Sequence, residues 1–168
     1  EYIRTGLKYN EWLDNMKYGL QFCDNNHDYK RMQLDLTITL PGLFDLENMV
    51  HLSNDLGIEL LTKQVFNFSH DNAMAPLFMP YDIMSGIIDD VREKTIKYKN
   101  KNLRNFFGQL DEMQKQKRNN EYVYDKDKYI EGQKRGKAEI ERLDRIRGTD
   151  ITKILQNNKR ALEWWTSI

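Results

Sequence analysis

The chain has 168 residues, 39% hydrophobic and 31% charged, and its 26 basic and 26 acidic side chains cancel to a formal charge of zero. That balance supplies no global electrostatic pull toward nucleic acid or an anionic membrane, and no apolar stretch nears the roughly twenty residues that span a bilayer. The single cysteine, Cys23, excludes an internal disulfide framework and points to a reducing, cytoplasmic setting.

The first predicted element is a helix. Tyr9, Leu13, Met16 and Leu20, with Trp12 beside them, form an amphipathic stripe. Asn10 is the expected N-cap, and residues 23–30 read as a polar loop ending the helix. Residues 31–68 then read as a complete strand–helix–strand unit. Met32, Leu34, Leu36, Ile38 and Leu40 alternate with Gln33, Asp35, Thr37 and Thr39, the period of a strand with two unlike faces. Pro41 and Gly42 break it. Leu46, Met49, Val50 and Leu56 recur at helical spacing, and Gly57 sits where a left-handed C-cap belongs. A second β-rich run holds Ile58, Leu60, Leu61, Val65 and Phe66. The connection suits a helical crossover, which makes the two strands parallel. Parallel sheets bind ligands at the carboxyl ends of their strands.

Pro80 is expected at the first position of the next helix, whose stripe is Met84, Ile87, Ile88 and Val91, interrupted only by Gly86. Leu103, Phe106, Phe107, Leu110 and Met113 make another. Apolar residues thin out over 114–137, which reads as a solvated helix or long loop outside the core. Ile140, Leu143 and Ile146 resume a short helix stopping at Gly148. Thr149 or Asp150 is expected to cap a single last helix holding Ile151, Ile154, Leu155 and Leu162. The organisation is helix–strand–helix–strand over 1–78 and all helix over 79–168. The mean hydropathy of −0.80 is lean for a compact core, and a two-stranded parallel sheet is not an independent fold. With no initiator Met before Glu1, the expectation is the C-terminal part of something larger, against the alternative of a trimmed domain with a complete core.

Catalytic motifs are scarce. His27, His51 and His70 form no HExxH pair, Cys23 and His27 alone do not make a zinc site, and no metal ligands are assigned. No GxSxG, Walker loop or GxGxxG is present. Lys94, Lys97, Lys99, Lys101, Arg104, Lys115, Lys117 and Arg118 lie near Tyr98, Phe106 and Phe107. A nucleic-acid face uses such a set, but both phenylalanines sit on the apolar helical stripe, so a solvated helix face is preferred and nucleic acid is disfavoured. The strand ends are more informative. If Leu34, Leu36, Ile38 and Leu40 face helices, then Asp35, Thr37 and Thr39 face inward, with Thr39 nearest the carboxyl end and able to bond a polar ligand. The alternative, equally weighted, is a threonine face on a solvated side.

Several strings in order resemble the radical S-adenosylmethionine enzymes, more narrowly their twitch-domain-containing members found in phage and bacterial sequences. These are Glu1-Tyr2-Ile3-Arg4-Thr5-Gly6 before the Trp12 helix, the 31–68 unit, Met79-Pro80 at a helix start, and Leu143-Asp144-Arg145-Ile146-Arg147-Gly148-Thr149 before the final helix. The resemblance implies an α/β fold: the C-terminal half of a partial (β/α)6 barrel over 1–78, followed by a helical extension over 79–168. It implies S-adenosylmethionine and a [4Fe–4S] cluster in an intact protein, with a 5′-deoxyadenosyl radical acting on a peptide or protein. The family's Cys-x3-Cys-x2-Cys loop is absent, so the implied partner is a missing N-terminal barrel segment, and this chain alone is expected to be inactive. Carried over, Arg4 meets the cofactor's carboxylate with a bidentate guanidinium or forms a structural salt bridge. Thr39 and Asn67 are strand-end cofactor candidates, and Arg147 is read as structural. The rival reading is a non-catalytic helical module that binds a partner protein through residues 114–137 and an exposed Trp164-Trp165 pair.

Overall fold

The computed structural model describes residues 8–25, 32–65, 73–98, 101–122 and 125–168. Helix α1 spans Tyr9–Asn25. It starts before Asn10, which therefore lies inside the helix and does not cap it. It also runs past Cys23, because no glycine or proline stands between Leu20 and Asn25 and the polar last turn stays solvated. Leu20 is its buried anchor.

Strand β1 (Leu34–Ile38) and strand β2 (Leu60–Gln64) pair in parallel, with Leu34 opposite Leu60 and Ile38 opposite Gln64. Between them lie a 3₁₀ segment, Pro41–Asp45, and helix α2, Leu46–Leu56. Gly57 ends α2 at φ 66°, the left-handed region that costs glycine nothing. Its N–H reaches Asn54 O at 3.1 Å, and Ile58 N–H returns to Ser53 O at 3.2 Å. The Ser53 hydroxyl donates to Ile58 O at 2.7 Å, so this corner leads directly into β2. Leu34, Ile38, Leu60, Thr62 and Gln64 are buried on one face, whereas Asp35, Thr37, Leu61 and Lys63 are exposed on the other.

After a 3₁₀ turn at Pro76–Phe78, helix α3 runs Tyr81–Thr95, with Pro80 at the N-cap, one residue before the predicted place. Met84, Ile87, Ile88 and Val91 are all buried, as their spacing predicts. Helix α4, Arg104–Asn119, buries Phe106, Leu110 and Met113 and lies against β2 and α3.

Residues 114–137 differ from the sequence expectation. The last turn of α4 buries Lys117, and helix α5, Lys126–Arg147, buries Tyr129, Gly132, Gln133, Gly136, Ile140 and Asp144. The two helices thus turn one face of the described part of this stretch inward, and because that face is small and polar, a search for apolar periodicity does not register it. The α5 helix begins on an Asp125 cap, whose Oδ1 accepts from Lys128 N–H at 2.9 Å, and ends at Gly148, φ 65°. The expected single last helix is two: α6 (Thr152–Leu155) and α7 (Lys159–Ser167). Asp150 Oδ1 accepts from Thr152 N–H at 2.9 Å as expected, but Asn158 then caps α7 by accepting from Ala161 N–H at 3.0 Å. One core cluster joins Leu20, the strand residues, Phe78, the α3 and α4 stripes, Ile140, Leu155 and Trp165. The class is α/β, dominated by helices around a two-stranded parallel sheet.

Candidate functional site

The strand carboxyl ends are the first place to look, and Thr39 is there. It is 7% exposed, and its hydroxyl accepts the Gly42 N–H at 3.1 Å while its carbonyl accepts Leu43 N–H at 3.0 Å. Thr39 thus holds the turn out of β1. A Cβ at residue 42 would stand 2.9 Å from its Oγ1, which explains the glycine at that position. An accepting hydroxyl retains one proton to donate. The other two sequence candidates, Arg4 and Asn67, lie outside the described residues.

The polar face of the sheet is open. Asp35 and Thr37 of β1 are exposed beside Leu61 and Lys63 of β2, and Lys63 Nζ reaches Asp35 Oδ2 at 2.9 Å. Both partners are more than half exposed, so solvent screens that pair heavily. The opposite face and the far edge of β2 are covered by α4. Asn105 Oδ1 accepts the Thr62 N–H at 2.6 Å, and Gln64 Nε2 donates to Gln116 Oε1 at 2.7 Å. The Gln64 Oε1 atom is buried with no hydrogen-bond partner among the described residues.

A second polar constellation escapes a search for apolar periodicity. Lys117, 1% exposed, sends its ammonium to Glu121 O and lies 3.4 Å from the Tyr129 hydroxyl and 4.5 Å above the Tyr129 ring centre. Tyr129 donates to Phe78 O at 2.6 Å, and Gln133 Nε2 donates to the Tyr129 oxygen at 2.9 Å. Burial lowers the Lys117 pKa to about 8, against a smaller opposing pull from the Glu121 charge. Burial also raises the Tyr129 phenol, helped by Glu121. The cluster ties the end of α4, Glu121, α5 and the Phe78 turn together. Its one sequence signal was the 3.6-residue spacing of Tyr129, Gln133 and Gly136.

The basic set near α4 does not form a stacking platform. Phe106 is fully buried, Lys117 is internal, and Arg118 Nε donates to the Tyr81 hydroxyl at 3.0 Å. The expected exposed Trp164-Trp165 pair is also corrected. Trp165 is 1% exposed, its carbonyl accepts from Lys137 Nζ at 2.8 Å, and half-buried Trp164 packs edge-on against Phe78 at 6.0 Å. Their α7 helix turns this face inward to complete the core. No three-residue His, Cys, Asp or Glu cluster suited to a metal occurs among the described residues, and no described helix is long and apolar enough to cross a membrane. Comparison of the chain with protein-family models, with curated proteins and with solved structures finds no match.

Proposed function

We propose that this chain is the part of a radical S-adenosylmethionine protein that supplies two parallel strands and the helices after them: the C-terminal half of a partial (β/α)6 barrel with a helical extension. The observation that carries the reading is the asymmetry of the sheet. Parallel sheets are ordinarily covered on both faces. Here Leu34, Ile38, Leu60, Thr62 and Gln64 face inward beneath helices, whereas Asp35, Thr37 and Lys63 line an open polar face. A barrel built from such strands turns that polar face toward its cavity. The order of the Glu1–Gly6, Met79-Pro80 and Leu143–Thr149 strings supports the same family.

The family's [4Fe–4S] cluster does not fit this chain, because three thiolates are needed and Cys23 is the sole cysteine. The chain's own part is therefore to wall the cavity. Arg4, Thr39 and Asn67 contribute to S-adenosylmethionine binding, and the polar strand face meets a peptide or protein substrate. The protein-interaction reading loses its anchor with the burial of Trp165.

The direct test is to read the coding frame upstream of Glu1. A Cys-x3-Cys-x2-Cys string in frame supports the proposal; a start codon within a few residues overturns it. In the extended protein, Arg4→Gln should weaken S-adenosylhomocysteine binding about tenfold by equilibrium dialysis, the scale of a lost charge-assisted bond.

A further inference from the structure

A groove of about 690 Å³ lies between the end of α3 and the start of α4. It is lined by the charged Arg92, Lys101, Arg104 and Asp111 and by Ile96, Phe107 and Gly108. The volume is that of a small-molecule site. Arg92 is already matched, with its Nη2 at 2.6 Å from Asp111 Oδ1. Among the described residues neither Lys101 nor Arg104 has an ion-pair partner, so the groove carries two unpaired cations beside the matched Arg92–Asp111 pair. The apolar lining contrasts with them: Ile96 is 64% exposed, and Phe107 is half-buried with its ring edge-on to Phe106 at 5.2 Å.

Gly108 is the decisive residue. It stands inside α4, where glycine is the poorest helix former after proline. No neighbour demands the missing side chain, since a Cβ there would meet no atom within 4 Å. The absent side chain leaves the notch open. We propose that this groove binds a small organic anion with a flat apolar body, such as an aryl or heterocyclic phosphate. The anionic group sits between Lys101 and Arg104, where a guanidinium can bond two of its oxygens, and the flat body lies over Gly108 against Phe107 and Ile96. This assignment is independent of the barrel reading above, because it uses neither the sheet face nor Arg4, Thr39 or Asn67.

The test is calorimetric titration of the chain with naphthyl phosphate, naphthol and inorganic phosphate. Naphthyl phosphate should bind saturably, at least about tenfold tighter than either half alone, and should weaken as salt rises from about 50 to about 500 mM. Arg104→Gln and Lys101→Gln, both at exposed positions, should each weaken it about tenfold, with Arg104→Lys intermediate. Gly108→Leu should fill the notch and abolish binding while the chain stays folded by circular dichroism. Gly86→Leu, at a glycine inside α3 with equally open space, should leave binding unchanged. Absence of saturable binding, inorganic phosphate binding as tightly as the aryl ester, or Gly108→Leu binding like the unmodified chain would each overturn the proposal.

Discussion

Lys117 shows how a single residue reshapes the reading of a segment. A lysine buried to 1% exposure is ordinarily paired with a carboxylate. Here the ammonium is held instead by the Glu121 carbonyl, the Tyr129 hydroxyl and the Tyr129 ring. Those contacts only partly offset desolvation, so the folded chain holds this proton less tightly than the unfolded chain does, with a pKa of about 8 against 10.5. Between those two values the unfolded state binds more protons, and this group makes stability rise with pH. Below about pH 8 the burial penalty is fully present. Lys117→Met should therefore remove an upward slope in unfolding free energy between pH 8 and 10, of the order of 2 kcal/mol over that window. Urea titrations of both proteins at pH 7.5 and 9.5 give the comparison, since one differing proton changes stability by at most about 1.4 kcal/mol per pH unit. Parallel curves at the two pH values would remove the burial penalty from the account. Tyr129 titrates above this window, since its own burial moves the phenol upward.

At the scale of the element, the junction after α5 illustrates how a helix end is built to start the next one. Gly148 takes the left-handed conformation at φ 65°. Asp144, in the last turn of α5, then accepts twice: from the Thr149 hydroxyl at 2.6 Å and from the buried Ile151 N–H at 2.8 Å. The carboxylate closes one helix and orients the approach to α6. Asp144→Ala strands the Ile151 N–H away from water and should cost about 1–3 kcal/mol. Asp144→Asn keeps one acceptor and should recover part of that loss. The check is the shift in urea midpoint by circular dichroism. Equal midpoints for all three proteins would mean that the junction is held by Gly148 alone. The same economy operates at β2, where Asn105 of α4 accepts an edge N–H that has no strand to pair with among the described residues.

For the whole molecule, stability rests on helices from the second half closing over the sheet unit of the first. Trp165 of α7 is 1% exposed and belongs to the same cluster as Leu34, Ile38 and Phe78. Its removal should be among the most damaging single changes, with Trp165→Ala costing about 3–5 kcal/mol, measured by guanidinium denaturation. Half-buried Trp164 should cost clearly less when changed in the same way. If the order reverses, the closing helix is anchored through Phe78 and Trp164 rather than through the core. The face of Asp35, Thr37 and Lys63 stays exposed after this closure.

Local periodicity was enough to read both strands, the α2, α3 and α4 stripes and the two glycine stops at Gly57 and Gly148. In each of these the apolar spacing and the backbone freedom of glycine are carried by neighbours a few residues apart. The same reading placed Thr39 at the end of β1 but could not show that its hydroxyl is engaged by Gly42, because that depends on the path of the turn. Residues 114–137 escaped it for a related reason. Their inward stripe of Lys117, Tyr129, Gln133 and the buried glycines is polar or small, and polar residues reveal their place only when partners from distant segments satisfy them. The burial of Trp165 and the charged groove beside Gly108 were likewise decided by tertiary structure. Both arise where elements far apart in the chain meet, and a one-dimensional pattern contains no term for that meeting.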